Sequence, residues 1–174
     1  MNFNLSFKIL FISLFITFKA FATEKIVFVD LQLILLNSSA GKSLNSQIKK
    51  IEKQKIPELD KMQTELRKEE EKLISQKNIL EINEFNNKVN LLKKKIILHN
   101  KDKKIFVDNL KKKQFDGRNK IINALAPILK DYASKNSISL ILQKNNILLG
   151  DNKIDKTSEI LKLLNDNLKK IDLN

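Results

Sequence analysis

The first candidate for chemistry in this sequence is the run Ala40-Gly41-Lys42-Ser43, which ends like a phosphate-binding loop. Such a loop carries another glycine five residues before the glycine of its Gly-Lys pair, so that consecutive backbone amides can surround the phosphates. Leu36 holds that position here. We therefore interpret the run as a turn that starts a helix and predict no nucleotide site.

Histidine and glutamate provide no catalytic arrangement either. His99 is the only histidine and the chain has no cysteine, so the imidazole lacks both the co-ligands of a metal site and the partners of a nucleophilic triad. Glu69, Glu70 and Glu71 are consecutive. In a helix such neighbours point in different directions and form no paired-carboxylate site. The sequence predicts no enzyme activity, no catalytic residue, no metal site and no cofactor.

The formal net charge of the whole chain is +13, and the positive charge is concentrated in one part of the chain. Residues 42–82 contain ten basic and eight acidic residues, whereas residues 83–135 contain fourteen basic and five acidic ones. The candidate binding residues in that second stretch are Lys93, Lys94, Lys95, Lys103 and Lys104. They could attract acidic proteins or anionic lipid and lipopolysaccharide headgroups. Alternatively, an AT-rich genome would enrich Lys, Asn and Ile together and leave only a solvated face.

A nucleic acid is a weaker explanation of this charge. Only Arg67 and Arg118 are arginines among the 33 basic residues, and bidentate reading of base edges favours arginine. Aromatic stacking platforms are missing as well. We predict no physiological nucleic-acid partner, although binding at low salt would be unsurprising.

The N-terminal residues resemble a secretory signal. Residues 1–8 are a short start with one lysine, residues 9–18 are almost entirely apolar, and Ala20-Phe21-Ala22 has the small-x-small pattern of a cleavage site. A membrane anchor would need about 20 apolar residues, roughly twice this run. We predict cleavage after Ala22. Because the segment contains two lysines and no acid, 152 residues with a net charge of +11 would remain.

The long middle of the chain has the period of a coiled coil. Apolar residues recur at alternating spacings of three and four in two stretches, and the register breaks between them at residues 80–83, where Asn83 could cap a new helix. The two seams contain Leu59, Met62, Leu66, Glu69 and Leu73, and then Phe85, Val89, Leu92, Ile96, His99, Lys103, Phe106 and Leu110.

This pattern predicts an antiparallel helical hairpin with arms of roughly 60–75 Å. One continuous rod of more than about 130 Å is the alternative. Pro57 and Pro127 should kink or restart their helices.

Short β-branched runs flank the hairpin. Residues 25–30, 139–142 and 147–149 are predicted strands, the last two joined by a turn at residues 144–146, and residues 155–171 are a predicted helix. Three short strands make a marginal core, so strands from several subunits should complete one shared barrel. The expected core of this body and of the oligomer comprises Ile26, Phe28, Leu140 and Leu142.

The predicted fold class is α+β, mainly α. The predicted parts are a signal peptide at residues 1–22, a discontinuous β-rich body at residues 23–41 and 136–174, and a hairpin tentacle at residues 42–135.

The order of these parts resembles the OmpH/Skp family of periplasmic chaperones. The resemblance covers the whole mature chain, and its most specific stretches are residues 25–30, 140–142 and 154–161. The last is similar to the family's Asp-Ile-Thr-Asp-like segment, with Lys156 where an apolar residue is usual.

The resemblance implies a homotrimer in the periplasm, with a small β-barrel body and three tentacles around a cavity for unfolded outer-membrane proteins. It implies an ATP-independent holdase. The alternative is a coiled-coil adaptor or spacer that tethers envelope components.

Overall fold

The computed structural model describes residues 24–173, so the predicted signal peptide lies outside the described residues. The helices and strands follow in the order β1 (Lys25–Val29), α1 (Leu31–Asn37), α2 (Ser39–Ser75), α3 (Ile82–Lys135), β2 (Ile138–Gln143) and α4 (Thr157–Asn167). Short 3-10 turns lie at Lys144–Asn146 and Asn152–Ile154. Two long helices and a two-stranded sheet confirm the predicted α+β, mainly α, class.

Helix α2 begins at Ser39, one residue before the run that resembled a phosphate-binding loop. Ser38 is its N-cap, and the Ser38 hydroxyl oxygen accepts a hydrogen bond of 3.0 Å from the backbone N–H of Gly41. A Cβ atom on Gly41 would collide with the backbone carbonyl of Leu35. The glycine is therefore explained by close packing of α1 against α2.

Helices α2 and α3 form the predicted antiparallel hairpin. Glu69 of α2 contacts Lys95 of α3, whereas Leu44, near the start of α2, lies beside Gly117 in the second half of α3. The helices contain 37 and 54 residues, which correspond to about 55 and 80 Å. The prediction that Asn83 caps α3 is wrong, because Glu81 is the N-cap and supplies no side-chain hydrogen bond.

A restart, one of the two alternatives predicted at Pro57 and Pro127, is wrong, whereas a kink stays a prediction. Both prolines lie inside continuous helices. Both are exposed, so each ring projects away from the packed side of its helix. The remaining backbone hydrogen bonds on either side carry the helix through, at the cost of the one bond that each proline cannot donate.

The sheet has two parallel strands instead of the expected three. Ile26 pairs with Leu140 and Phe28 with Leu142. The whole hairpin forms the long connection that parallel strands need. Residues 147–149, a predicted strand, have no regular structure. The turn before them is a 3-10 turn, after which Asp155 bridges to Phe28 on the free side of β1. The predicted β-hairpin after the tentacle is therefore wrong for the isolated chain.

The main core lies where the sheet, α1, α4 and the base of the hairpin meet. Its most buried members are Ile34, Ile121, Leu125, Ile160 and Leu164. The predicted C-terminal helix is shorter than expected, since α4 ends at Asn167. The segment that follows returns to the hairpin, where Ile171 and Leu173 are buried. Within residues 24–173, none of the helices is long and apolar enough to cross a membrane.

Candidate functional site

The outer part of the hairpin is held by a narrow apolar seam. Leu66 and Leu73 of α2 are buried against Leu92 of α3. Leu80, Phe85, Val89 and Ile96 pack around them. These positions follow the predicted heptad pattern, so the sequence places this part of the seam correctly. We call this the tip cluster.

The seam becomes less regular below the tip cluster. His99 is a buried polar residue, with 8% of its surface exposed, at a seam position of α3. Lys103, the next predicted seam residue, is exposed, and so is Met62 on α2. Leu59 is buried but belongs to neither apolar cluster. The heptad pattern therefore continues in sequence while apolar contact across the seam weakens.

An open cleft of about 440 Å³ lies along one side of this weaker stretch. The buried residues Leu59, Leu66 and His99 line it, together with the exposed side chains of Met62 and Leu98. The charged residues of its rim are Lys55, Glu58, Glu65, Glu69, Lys95 and Asp102. The cleft can accept apolar groups, and nothing in its chemistry is specific for one compound.

Two ion pairs border this cleft. The Lys95 ammonium lies 2.7 and 2.8 Å from the two carboxylate oxygens of Glu69 and so links the two arms. Lys55 pairs with Glu58 within α2 at 2.8 Å. All four side chains are substantially exposed, so each pair contributes at most about 1 kcal/mol to stability.

The five candidate lysines do not share one face of α3. Lys95 lies on the side of the large cleft, whereas Lys93 borders a smaller cleft of about 160 Å³ that Glu70, and not Glu69, lines. Because successive helical residues are rotated by about 100°, these two clefts lie on opposite sides of the seam. Lys94, Lys103 and Lys104 are exposed. The charge therefore surrounds α3, the return arm of the hairpin, and forms no single patch.

Large apolar side chains are exposed among these lysines. Those on α3 are Ile82, Leu91, Ile97, Leu98, Ile105, Val107, Phe115 and Ile122. Ile56, Met62 and Ile74 add to them from α2, and Ile79 from the turn at the tip. Scattered single apolar residues are normal on a protein surface, but a set that extends over most of the length of one arm offers many weak contacts to an extended partner.

The predicted body residues divide between the interior and the surface. Phe28 is buried, with 4% exposed, and Leu142 is partly buried. Ile26 and Leu140, which pair in register, are 43% and 47% exposed. Leu148 and Leu149 project fully into solvent. The sheet and the loop after β2 therefore present apolar side chains that the rest of residues 24–173 does not cover.

The segment that resembled a family motif joins the end of the chain to β1. The Thr157 hydroxyl oxygen accepts a hydrogen bond of 2.8 Å from the backbone N–H of Asp30, and the same hydroxyl donates to Asp155. Lys144 pairs with Asp155 at 3.0 Å, and its ammonium lies 5.7 Å from the centre of the Phe28 ring. This polar network is structural, since it fixes the strand–α4 connection.

The charge of Asp155 is stabilised within this network. Burial alone would raise the pKa of its carboxyl group, but the hydrogen bonds from Thr157 and the ion pair with Lys144 outweigh burial and leave the pKa below its ordinary value. The carboxylate is therefore charged at neutral pH, which maintains its bonds to both neighbours.

One set of contacts was missed by reasoning from the sequence. The backbone after α4 lies against the hairpin base, where the Ile171 carbonyl accepts from Gln47 and the Asp172 carbonyl from Lys120, both at 2.6 Å. A Cβ atom on Gly117 would meet side-chain atoms of Leu44 and Leu173 at 2.6 and 2.9 Å. The available signal was a glycine inside a long helix, which often marks a close approach.

No cluster of three or more metal-ligating side chains occurs in residues 24–173. The hairpin instead has long apolar and basic surfaces and small open clefts, which are typical of surfaces that bind other molecules.

Comparison of the sequence with models of known protein families assigns the chain to a family. The family model described as outer membrane protein (OmpH-like) matches residues 25–164. The chain belongs to the OmpH-like family. The match includes β1, the complete hairpin, β2 and most of α4, so it extends over both the body and the tentacle. Membership in the OmpH-like family supports a chaperone-type role.

A solved structure has the same fold. A crystal structure from Caulobacter crescentus, provisionally assigned as an outer membrane chaperone (OmpH-like), superposes with a TM-score of 0.74. The match covers 87% of this chain and 89% of that chain at 16% sequence identity, so it supports the fold alone. No curated protein matches the sequence.

Proposed function

We propose that this OmpH-like protein is an ATP-independent holdase that binds unfolded outer-membrane proteins in the periplasm. The observation that carries the proposal is the return arm α3, along which exposed apolar side chains alternate with lysines from Ile82 to Ile122. An unfolded chain can use many such weak contacts at once, and the combined binding becomes tight although each contact is weak. Protection by binding alone requires neither catalysis nor a cofactor.

The proposed assembly is a homotrimer whose tentacles surround a cavity. Its support is a set of exposed apolar residues of the body, Ile26 and Leu140 on the sheet and Leu148 and Leu149 in the loop that follows it. The outer edge of β2 pairs with no strand among the described residues, whereas β1 is bridged by Asp155. Open, apolar strand edges favour pairing with another chain. Residues 147–149 of one subunit would then complete the sheet of the next.

The location in the periplasm rests on residues 1–22 acting as a signal peptide that is cleaved after Ala22. The chain contains no cysteine, so an oxidising compartment would not alter it by disulfide formation. After export, residues 42–135 would fold as the tentacle, and residues 23–41 would fold together with residues 136–174 as the body.

The proposed role of Lys93, Lys94, Lys95, Lys103 and Lys104 is to attract clients. Since these lysines surround the arm, they would speed encounter from many directions and would not recognise a particular sequence. The same charge could hold the protein near anionic lipid or lipopolysaccharide headgroups.

An aggregation assay tests the proposal. The mature protein is mixed with an outer-membrane barrel diluted from urea, without nucleotide, and light scattering is followed. Suppression is expected at about one trimer per barrel, with release when a bilayer is added. A soluble enzyme that refolds readily serves as the control and should be ignored. If the barrel precipitates equally fast with the protein in excess, the holdase proposal is wrong and an adaptor with one folded partner takes its place.

A further inference from the structure

The end of the chain lies in a groove at the base of the hairpin. The backbone becomes extended at Leu168, directly after α4, and the segment then passes between α2 and α3. Ile171 and Leu173 are buried, with 6% and 9% of their surface exposed, whereas Asp172 between them is exposed. This alternation is that of an extended segment, whose successive side chains point to opposite sides. We call residues 168–173 the tail.

The apolar part of the groove is a gap above a helical glycine. A Cβ atom on Gly117 of α3 would meet Leu173 at 2.9 Å and Ile171 at 3.2 Å. The same atom would meet Leu44 of α2 at 2.6 Å. Glycine weakens the interior of a helix, and here it leaves the space that the two apolar side chains of the tail fill.

Three side chains of the hairpin bind the backbone of the tail. The carbonyl oxygens of residues 171, 172 and 173 accept hydrogen bonds from Gln47, Lys120 and Lys113, respectively. The Gln47 amide also lies 3.2 Å from the Ser43 hydroxyl, which positions it. Because every residue type has a carbonyl group, these donors recognise an extended backbone and not a particular sequence. The groove therefore accepts any extended segment with apolar side chains at alternate positions.

We expect the tail to leave the groove more easily than any other part of the main core leaves its place. Lys169 and Lys170, which connect α4 to the buried pair, are exposed. Chain ends open locally at a lower free energy than the centre of a domain does. A second extended segment would replace the contacts of the tail with equivalent ones, so the exchange is close to balanced.

The groove lies near the surface that the proposed function assigns to clients. Phe115 and Ile122, which are 64% and 36% exposed, lie close to Gly117 on the same helix. A client bound along α3 would therefore present its segments to the groove at a high local concentration. Strands of outer-membrane barrels alternate apolar and polar side chains, as the tail does.

We propose that the hairpin base carries a binding groove for extended peptide segments with alternate apolar residues, which the tail occupies in the free protein. A strand segment of an unfolded outer-membrane protein displaces the tail and takes its place. The choice of this occupant rests on the proposed holdase, whereas the groove itself rests on the contacts of the tail.

Fluorescence anisotropy with labelled peptides tests the groove. One peptide copies residues 168–174, a second copies a membrane-spanning strand of an outer-membrane barrel, and a control peptide is the first with Ile171→Ser and Leu173→Ser. The same two substitutions in the full mature chain should release the tail. This tail-released variant should bind the first two peptides at least about tenfold more tightly than the natural protein does, because two apolar side chains become buried. The control peptide should bind neither protein.

The lysine donors are tested in the tail-released variant. Adding Lys113→Ala/Lys120→Ala should weaken binding of both apolar peptides at least about tenfold, because two hydrogen bonds from charged groups to the peptide backbone are lost. Lys111→Ala/Lys112→Ala removes the same charge from exposed positions of α3 and should change binding by less than about twofold. Equal weakening by the two pairs would show that general charge holds the peptides and would overturn the groove.

Electron paramagnetic resonance follows the tail in an otherwise natural chain, which contains no cysteine. A spin label at Asp172→Cys, an exposed position between the two buried side chains, should show restricted motion in the free protein. An excess of either apolar peptide should increase the mobile fraction of the label, and the control peptide should not. No increase with either apolar peptide would overturn the proposal. This measurement decides alone if circular dichroism shows that the tail-released variant is unfolded.

Two further outcomes separate the groove from its occupant. Binding of the tail peptide without binding of the barrel peptide would refute the client part and leave a groove for the tail of this chain, from the same or another copy. If both peptides bind while the natural protein fails in the aggregation assay, the proposed holdase is wrong and the groove stands.

Discussion

The side-chain nitrogen of Gln47 lies 2.6 Å from the carbonyl oxygen of Ile171, and this hydrogen bond joins the start of the tentacle to the last described residues. The bond is part of a larger contact in which the segment after α4 packs between α2 and α3. Lys113 and Lys120 donate to the next two carbonyl groups, those of Leu173 and Asp172. The segment therefore fixes the two arms of the hairpin at their base.

The first prediction concerns Gly117, which makes room for this segment. In Gly117→Ala the new methyl group would meet Leu44 and Leu173 at 2.6 and 2.9 Å. Alanine favours a helix by about 1 kcal/mol over glycine, but overpacking costs about 1–3 kcal/mol. We expect a net loss of about 1 kcal/mol in the free energy of unfolding, measured with urea. Asn123→Ala, at an exposed position of the same helix, is the control and should be neutral or stabilising. A stabilised Gly117→Ala variant would show that the close packing is unimportant.

The second prediction uses the lowered pKa of Asp155. A carboxyl group whose pKa is lower in the folded state stabilises the protein above its unfolded pKa of about 3.9, and this stability is lost as the pH falls through the folded value. Asp155→Asn should therefore cost about 1–3 kcal/mol at pH 7. The difference from the natural protein should shrink in acid below about pH 4.

Urea unfolding across the pH range checks this expectation. Asp131→Asn removes an exposed ion pair with Lys135 and should cost less than about 1 kcal/mol. A difference between Asp155→Asn and the natural protein that is the same at pH 3 and pH 7 would contradict the assigned role of the charge.

Much of the fold could be predicted because its signals are local. The heptad spacing of Leu66, Leu73 and Leu92 depends only on neighbouring residues, and these side chains are buried as expected. The break in register near residue 80 likewise located the turn of the hairpin.

The wrong predictions for the body have a different origin. Residues 147–149 are apolar and follow a turn-like sequence, which locally favours a β-hairpin. The structure instead pairs β2 with β1, from which it is separated by the whole tentacle. The packing of Ile171 and Leu173 against the hairpin base is also long-range. Pairing between such distant segments leaves no local pattern, so the sequence could not reveal it.

The candidate site was only partly predictable for the same reason. The sequence identified Lys93, Lys94 and Lys95 as a run, but only the folded hairpin places Lys95 against Glu69 and Lys93 beside the opposite cleft. Their role in binding stays a prediction.

The third prediction tests these lysines together with Lys103 and Lys104. Changing all five to glutamine should slow capture of an unfolded outer-membrane barrel and flatten the dependence of the association rate on salt. Surface charges act mainly on association and are screened over about 8–10 Å. Stopped-flow fluorescence measures both effects.

A second variant, with the same change in net charge at lysines other than the five candidates, is the control. In it Lys130, Lys153, Lys162, Lys169 and Lys170, all of which are exposed, are changed to glutamine. Equal slowing in both variants would show that only net charge matters. Unchanged kinetics in the first variant would assign the lysine excess to genome composition.

The last prediction concerns assembly through the uncovered sheet. Leu148 and Leu149 are fully exposed in the single chain and belong to neither a helix nor a strand. If they complete the sheet of a neighbouring subunit, the mature protein should sediment as an elongated trimer. The variant Leu148→Asp/Leu149→Asp should then form monomers at micromolar concentration, because buried unpaired carboxylates are strongly unfavourable.

Phe115→Asp, which places a charge at an exposed apolar position of the tentacle, should leave the trimer intact. Circular dichroism should show that the monomeric variant keeps its hairpin, since neither leucine contributes to the main core or the tip cluster. A natural protein that sediments as a compact monomer, or a leucine variant that stays trimeric, would contradict this assembly and remove the cavity from the proposed mechanism.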